Sequence, residues 1–281
     1  MNKLLLFTAI AAFFFSSCEQ DANVDVPEVD PVLVVNCFIM PEDSFIRAKI
    51  SLSTPVFTND PNAGQPVTDA QVIIYGNSSS VTLAYNQNTD YYEVPMSAFQ
   101  IIAGNEYHLV ATAPNRPQAD AYTTVPLVAP VNYTCTMTDT VFSNDPWGTN
   151  GEVRFDYSFN DIGSQSDFYR FVSYAVTYGP WTMDTSVKRI AWDLYSDENA
   201  DGTTVSKGMS APYWVNTGGD SLVAYDAWLL HCNYDYYMFH RSIYNYSGDD
   251  PFSEPSMIYS NISGGLGIFA AANGTRIRLL R

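Results

Sequence analysis

Positive charge is scarce in this chain. Its 281 residues include 13 Lys and Arg against 30 Asp and Glu, for a formal net charge of −17. Removing residues 1–17, which hold Lys3 and no acid, leaves 12 basic residues against the same 30 acids. A surface that acidic repels nucleic acid and anionic membrane surfaces, so no nucleic-acid partner is expected. Histidine is scarcer still. His108, His231 and His240 lie far apart, the first two in apparent strands and the third in a helix, and read as structural rather than metal-binding. The 4 cysteines include no Cys-x-x-Cys pair, which argues against a zinc site or a redox couple. Cys37, Cys135 and Cys232 read instead as buried free thiols in strands. No Gly-x-Ser-x-Gly elbow marks a serine nucleophile. Acids are so abundant that carboxylate spacing identifies no glycosidase pair.

Long hydrophobic runs are also short supply. Leu4–Phe15 has 12 residues, interrupted only by Thr8, where a bilayer span needs ~20. Following Lys3 and ending in small residues, it reads as a secretory signal. Phe15-Ser16-Ser17-Cys18 resembles a bacterial lipobox, with Phe at the position where Leu is usual. Residues 1–17 are therefore expected to be a lipoprotein signal peptide and Cys18 the lipidated residue. An ordinary secretory signal followed by an incidental cysteine is the alternative. Several acyl chains anchor a protein stably where a single one is marginal. Glu19, Asp21, Asp25, Glu28 and Asp30 make 18–31 an acidic flexible tether. It resembles the surface-export signal of Bacteroidota-type lipoproteins, or else is a plain solvated linker. The expected location is the outer membrane, lipid-anchored and surface-exposed.

The composition is rich in aromatics, at 15%, with 20 Tyr, and favours β structure. Val32–Ile39, Arg47–Ser53, Val67–Tyr75, Val81–Tyr85, Tyr91–Val94 and Glu106–Ala111 read as short strands separated by turn signals, the pattern of a sandwich. Thr123–Pro130, with two prolines, reads as the crossing into a second unit. There Gly151–Asn160 alternates strictly, and Phe168–Tyr178, Lys188–Leu194 and Ser221–Cys232 read as further strands. Asn233 can cap a short helix running to Tyr246, with Phe239, Ile243 and Tyr246 at helical spacing. Ser260–Ala272 closes the chain as an apolar strand broken by Gly264, Gly265 and Gly267, which implies a bulge or a close backbone approach. The fold expected is mainly β. An N-terminal immunoglobulin- or transthyretin-like sandwich (32–125) precedes a larger C-terminal sandwich or barrel-like domain (131–281) that carries one short helix.

Val67-Thr68-Asp69-Ala70-Gln71-Val72, followed by Gly104-Asn105-Glu106-Tyr107-His108-Leu109, resembles the pattern of transthyretin-like and carboxypeptidase-regulatory-like sandwiches. The lipobox, Val32–Phe38, the aromatic helix and the ending Pro251-Phe252-Ser253 … Ser260-Asn261-Ile262-Ser263-Gly264-Gly265-Leu266-Gly267-Ile268-Phe269 resemble the Bacteroidota lipoprotein family called domain of unknown function 4249. Asp250 stands where Asn is common. The resemblance implies an envelope lipoprotein often encoded beside TonB-dependent outer-membrane receptors. It brings no catalytic residues.

Three constellations remain. Asp197, Asn199 and Asp201, followed by Gly202, match the first half of a calcium loop, although Gly208 stands where the bidentate Glu belongs; an acidic turn is the alternative. Trp147, Tyr178, Trp181, Tyr213 and Trp214 fall at apparent loops or strand ends. They suit stacking on a glycan or peptide, or else fill the core. Asp139-Thr140-Val141 and Asp220-Ser221-Leu222 resemble the Asp-(Ser/Thr)-apolar signal for O-glycosylation, at Thr140 and Ser221. The expected function is non-enzymatic: an accessory or ligand-binding partner of a TonB-dependent receptor in nutrient uptake, or alternatively an adhesive or glycan-binding surface module.

Overall fold

The computed structural model describes residues 30–54, 64–145, 148–179, 183–198, 201–216, 221–246 and 257–280. The signal segment, Cys18 and most of the acidic tether lie outside these residues.

The molecule is mainly β, with one short helix. Seven strands come first: β1 (Leu33–Ile39), β2 (Phe45–Leu52), β3 (Gln71–Gly76), β4 (Ser79–Asn86), β5 (Tyr91–Pro95), β6 (Glu106–Thr112) and β7 (Ala119–Thr124). They alternate inward apolar and outward polar residues, as one-sided sheets require. In β1 the inward set is Leu33, Val35, Cys37 and Ile39; in β2 it is Ile46, Ala48 and Ile50. The sheet folds over so that β1, β2 and β5 face β3, β6 and β7 across one apolar core. Tyr92 crosses that core and satisfies its hydroxyl by donating to Val67 O and accepting from Ala70 N, both at 2.8 Å.

A second set follows: β8 (Val131–Asp145), β9 (Gly148–Asn160), β10 (Phe168–Gly179), β11 (Asp184–Ser196), β12 (Thr204–Asn216) and β13 (Ser221–Cys232). β8, β9 and β12 form a separate three-stranded sheet that packs on β10, β11 and β13. Val153, Phe155, Tyr157 and Phe159 point inward from β9, and the ring of Tyr157 stacks on Phe171 at 4.2 Å between centroids. Pro212 sits inside β12, which is tolerated because β12 is an edge strand bonded only to β9.

The last strand, β14 (Leu266–Leu280), joins the two cores. Its first half runs parallel to β1, with Val34 opposite Leu266 and Ile39 opposite Ala271. Its second half runs antiparallel to β13, from Ala272 opposite Cys232 to Leu280 opposite Ala224. At about 3.3 Å per residue the strand extends roughly 45 Å. It therefore spans from the start of β1, where the chain enters the fold, to the far end of the second core. Helix α1 (Tyr234–Tyr244) covers the junction on the outer face. Asn233 caps it by accepting from Tyr236 N at 3.0 Å, and also accepts from Ala271 N and donates to Thr123 Oγ1.

The glycines at the start of β14 are sites of close backbone approach. A Cβ on Gly267, at φ +109°, would lie 2.0 Å from Val35 O, and one on Gly264, at φ +70°, would lie 2.1 Å from Gln118 O.

Candidate functional site

The strand register of the second core separates its loops into two poles. β9 ends at Asn160, opposite Thr204 of β12, and β10 begins at Phe168, opposite Ser196 of β11. The ends of the two crossovers between the sheets, Asp161 with Thr203 and Asp167 with Asp197, are thus bonded to each other at the pole facing the first core. The other pole holds Asp145 and Gly148 of the β8–β9 connection, Gly179 and Asp184 of the β10–β11 connection, and the ends of β12 and β13.

Three aspartates meet at the near pole. Asp161, Asp197 and Asp201 each present a carboxylate oxygen, all within 4.8 Å of one another. Asp161 and Asp197 are buried, at 8% and 2% exposure, while Asp201 faces solvent. Asp161 Oδ2 accepts from Gly202 N at 2.7 Å, and Asp201 Oδ1 accepts from Ser164 N at 2.7 Å, so each loop holds the other. Burial, and then the neighbouring Asp161, Asp167 and Asp201, push the Asp197 carboxyl above the usual carboxylate range. Two of the aspartates expected from the calcium-loop spacing are therefore together. Asn199 lies outside the described residues. Gly208, the residue at the twelfth position, is out in β12 opposite Asp156. The local loop pattern is replaced by one in which Asp161 comes from the neighbouring crossover. Asp161 follows directly on the strictly alternating β9, and that position was the only signal for it in the sequence.

The histidines stand apart, each with its own partners. His231 Nδ1 lies 2.7 Å from Val128 O and its Nε2 lies 2.9 Å from the buried Asp167, so both ring nitrogens are engaged. His108 stacks on Tyr122 at 4.0 Å and faces Asp120 at 3.3 Å. His240 accepts from Arg170 Nη1 at 2.7 Å. Arg170 is itself buried and also donates to the Tyr236 hydroxyl at 2.8 Å.

The aromatic candidates divide. Tyr213 is not at a loop or an exposed strand end. It is buried within β12 with its hydroxyl donating to Asp139 at 2.6 Å, because the alternation of that strand turns it to the core. Tyr178 is exposed near the end of β10. Trp214 is in β12 opposite Asn150, its side chain outside the described residues. Trp147 and Trp181 also lie outside them, although the strand ends flanking both are at the far pole. That pole exposes Phe142 at 64% and Met183 at 81%, with Val141 and Val187 nearby. Thr140 is exposed on β8 opposite Glu152, and Ser221 is exposed at the start of β13, its Oγ donating to Tyr178 O at 3.4 Å. A shallow depression of about 430 Å³ on the first core is lined by Asn36, Phe38, Arg47, Lys49, Thr89 and Tyr91. Its Arg47 is engaged by Glu93 at 2.8 Å.

The fold defines a mainly β protein of two sandwich-like cores spliced by one long strand. By its match over residues 19–278, the chain belongs to the family described as domain of unknown function (DUF4249). No curated protein matches it. Among solved structures it is matched to the C-terminal globular domain of an oligosaccharyltransferase from Pyrococcus abyssi, at 10% identity and a TM-score of 0.16, over 96% of this chain and 56% of that one. A second match is the B domain of a biofilm-associated protein, at 7% identity and a TM-score of 0.15, over 89% of this chain and 88% of that one. At such scores neither likeness carries an argument.

Proposed function

We propose that this protein is a non-enzymatic outer-membrane lipoprotein, anchored through Cys18 and displayed at the cell surface. It serves there as an accessory or ligand-binding partner of a TonB-dependent receptor. The observation that carries the reading is the polarity of the fold along β14. The chain enters beside Leu266, at the tethered end, and the apolar far pole with Phe142 and Met183 lies at the other. A strand of that length holds the far pole away from the tethered end, where a neighbour in the same membrane can reach it. The far pole exposes Phe142, Met183, Val141 and Val187, apolar groups that suit an interface. The family match begins at Glu19, the residue after Cys18, in keeping with a mature chain that starts at the lipidated cysteine.

Two measurements test this. Mass spectrometry of the N-terminal peptide from native membranes should find acyl chains on Cys18. Affinity capture of the protein in mild detergent should bring down a TonB-dependent receptor, and replacing Phe142 and Met183 with Ser should release it. Capture without any receptor would sink the proposal.

The convergence of the strand ends that flank Trp147 and Trp181 with the end of β12 that carries Trp214 favours a second reading, a glycan-binding or adhesive tip. Glycan-array binding that disappears in Trp181→Ala or Trp214→Ala would select it over the first. Native peptides holding Thr140 or Ser221 would carry a hexose-type mass increment if these residues are glycosylated.

A further inference from the structure

The three-aspartate cluster shows more than acidity. Asp161 Oδ1 and Asp197 Oδ2 are buried oxygens without a hydrogen bond of good geometry among the described residues, although the Tyr169 hydroxyl lies beside Asp161. The residues that carry them are more than nine-tenths buried, and each offers a carboxylate oxygen within 4.8 Å of the others and of one on Asp201. Burying a carboxylate without a donor or a countercharge is costly, and burying two facing each other adds repulsion. No ion pair among the described residues reaches any of the three. Asp161 Oδ2 and Asp201 Oδ1 are already occupied by the backbone of the opposite loop, through Gly202 N and Ser164 N, which fixes these two carboxylates.

We infer that Asp161, Asp197 and Asp201 form a calcium-binding site that clasps the two crossovers between the sheets of the second core. The donors are all carboxylate oxygens, with no thiolate or imidazole, which selects a hard cation over zinc or copper. Oxygens on opposite sides of a calcium ion stand about 4.8 Å apart, at roughly 2.4 Å each from the metal, so the three can share one ion as they stand. Magnesium demands about 2.1 Å and a near-ideal octahedron, and it gives up water reluctantly. Calcium takes 6–8 oxygens in flexible geometry. Three carboxylates, some bidentate, supply part of that shell, and the solvent side beside Asp201 admits water. The site joins Asp161 to Asp197 and Asp201, so the ion ties both sheets of the second core at the pole nearest the first.

The test uses the full mature chain in detergent, stripped with EDTA and desalted. Isothermal titration with calcium chloride should give one site. Thermal unfolding should rise by roughly 5 °C or more once calcium exceeds the Kd about 100-fold. Magnesium at the same concentration should give much less. Asp161→Asn and Asp197→Asn should each abolish the heat and the thermal shift. In EDTA each should melt at or above the wild-type midpoint, since Asn relieves the repulsion, and in calcium the order should reverse. That reversal separates a metal site from a merely structural carboxylate cluster. Asp201→Asn, at an exposed position that folds without difficulty, should weaken calcium binding at least tenfold. The inference is overturned if wild type shows neither heat nor stabilisation at several millimolar calcium. It is equally overturned if magnesium matches calcium, or if the shift survives in the Asp161→Asn/Asp197→Asn double variant.

Discussion

Cys37 of β1 lies directly beside Phe269 of β14, in parallel register, so the first and last strands of the fold are neighbours. The contact is made possible by Gly267, whose φ of +109° and missing Cβ let β14 approach Val35 O. Any side chain there meets backbone, which cannot swing away. Gly267→Val should therefore destabilise the protein by roughly 3 kcal/mol or more. Because β14 also lines the second core through Ile277 and Leu279, both cores should loosen together. Urea denaturation followed through tyrosine and tryptophan signals would show this as one shifted transition. A variant as stable as wild type would mean that β1 and β14 do not pair this closely.

Asn233 ties three elements with one side chain: the first turn of α1, β14 through Ala271, and β7 through Thr123. Asn233→Ala should cost about 2 kcal/mol, more than an exposed cap alone, because the Ala271 and Tyr236 amides are left without their acceptor. Asn233→Asp keeps the acceptor but loses the donor to Thr123, and should fall between the two. Equilibrium denaturation of the three proteins gives that ranking directly.

Most of the sheet was legible because one-sided strands write their burial into the alternation. β9 is the clearest case, with Val153, Phe155, Tyr157 and Phe159 all inward. Helix α1 was legible from its cap and spacing, and it runs Tyr234–Tyr244 with Asn233 as cap. Other strands carry residues that contradict the usual signals. β7 reads Ala-Asp-Ala-Tyr-Thr-Thr, small and polar, yet it pairs with β6 as an edge strand and is bridged from Asp120 to Ser263. β12 holds both Gly208 and Pro212, which normally break a strand. β14 runs on past Ala272 to Leu280, where outward Arg276 and Arg278 disguise a strand half-buried on its other face. The candidate metal centre was half legible for a similar reason. Asp197 and Asp201 are neighbours in sequence, whereas Asp161 is brought to them only by the pairing of β9 with β12, which no local spacing reveals.

The three cysteines of the described fold are buried and free. Burial pushes the Cys37 and Cys232 thiols far up, and the Cys135 thiol up to about 11. Since the thiolate is the reactive form, none should react with a disulfide reagent at pH 8 in the folded protein, with Cys18 replaced by Ser or blocked by lipid. Addition of guanidinium should release all three at once. A thiol that reacts quickly under native conditions would place that cysteine at the surface instead.

His240 should be far less basic than an ordinary histidine. Burial first, then the Arg170 and Arg189 guanidinium groups, lower its pKa to about 3 from an ordinary 6.5. The unfolded chain takes up this proton near pH 6.5 and the folded chain only near pH 3. The contribution to stability is thus complete above the first value and lost as pH falls toward the second. Asp43 works in the opposite sense. Burial, with Glu42 adding to it, raises its pKa to about 6, so its contribution is present below the ordinary 3.8 and lost as pH rises through 6. The two windows overlap, and global unfolding would report only their difference. The decisive measurement is therefore at the ring itself. Carbon-detected NMR of labelled imidazoles should show the His240 ring neutral from pH 8 down to pH 4.5. Arg170→Met should move its titration upward while leaving it below the ordinary range, because burial is the larger cause and persists in the variant. A His240 ring that titrates near 6.5 in the wild-type protein would remove the buried Arg170–His240 contact from this account.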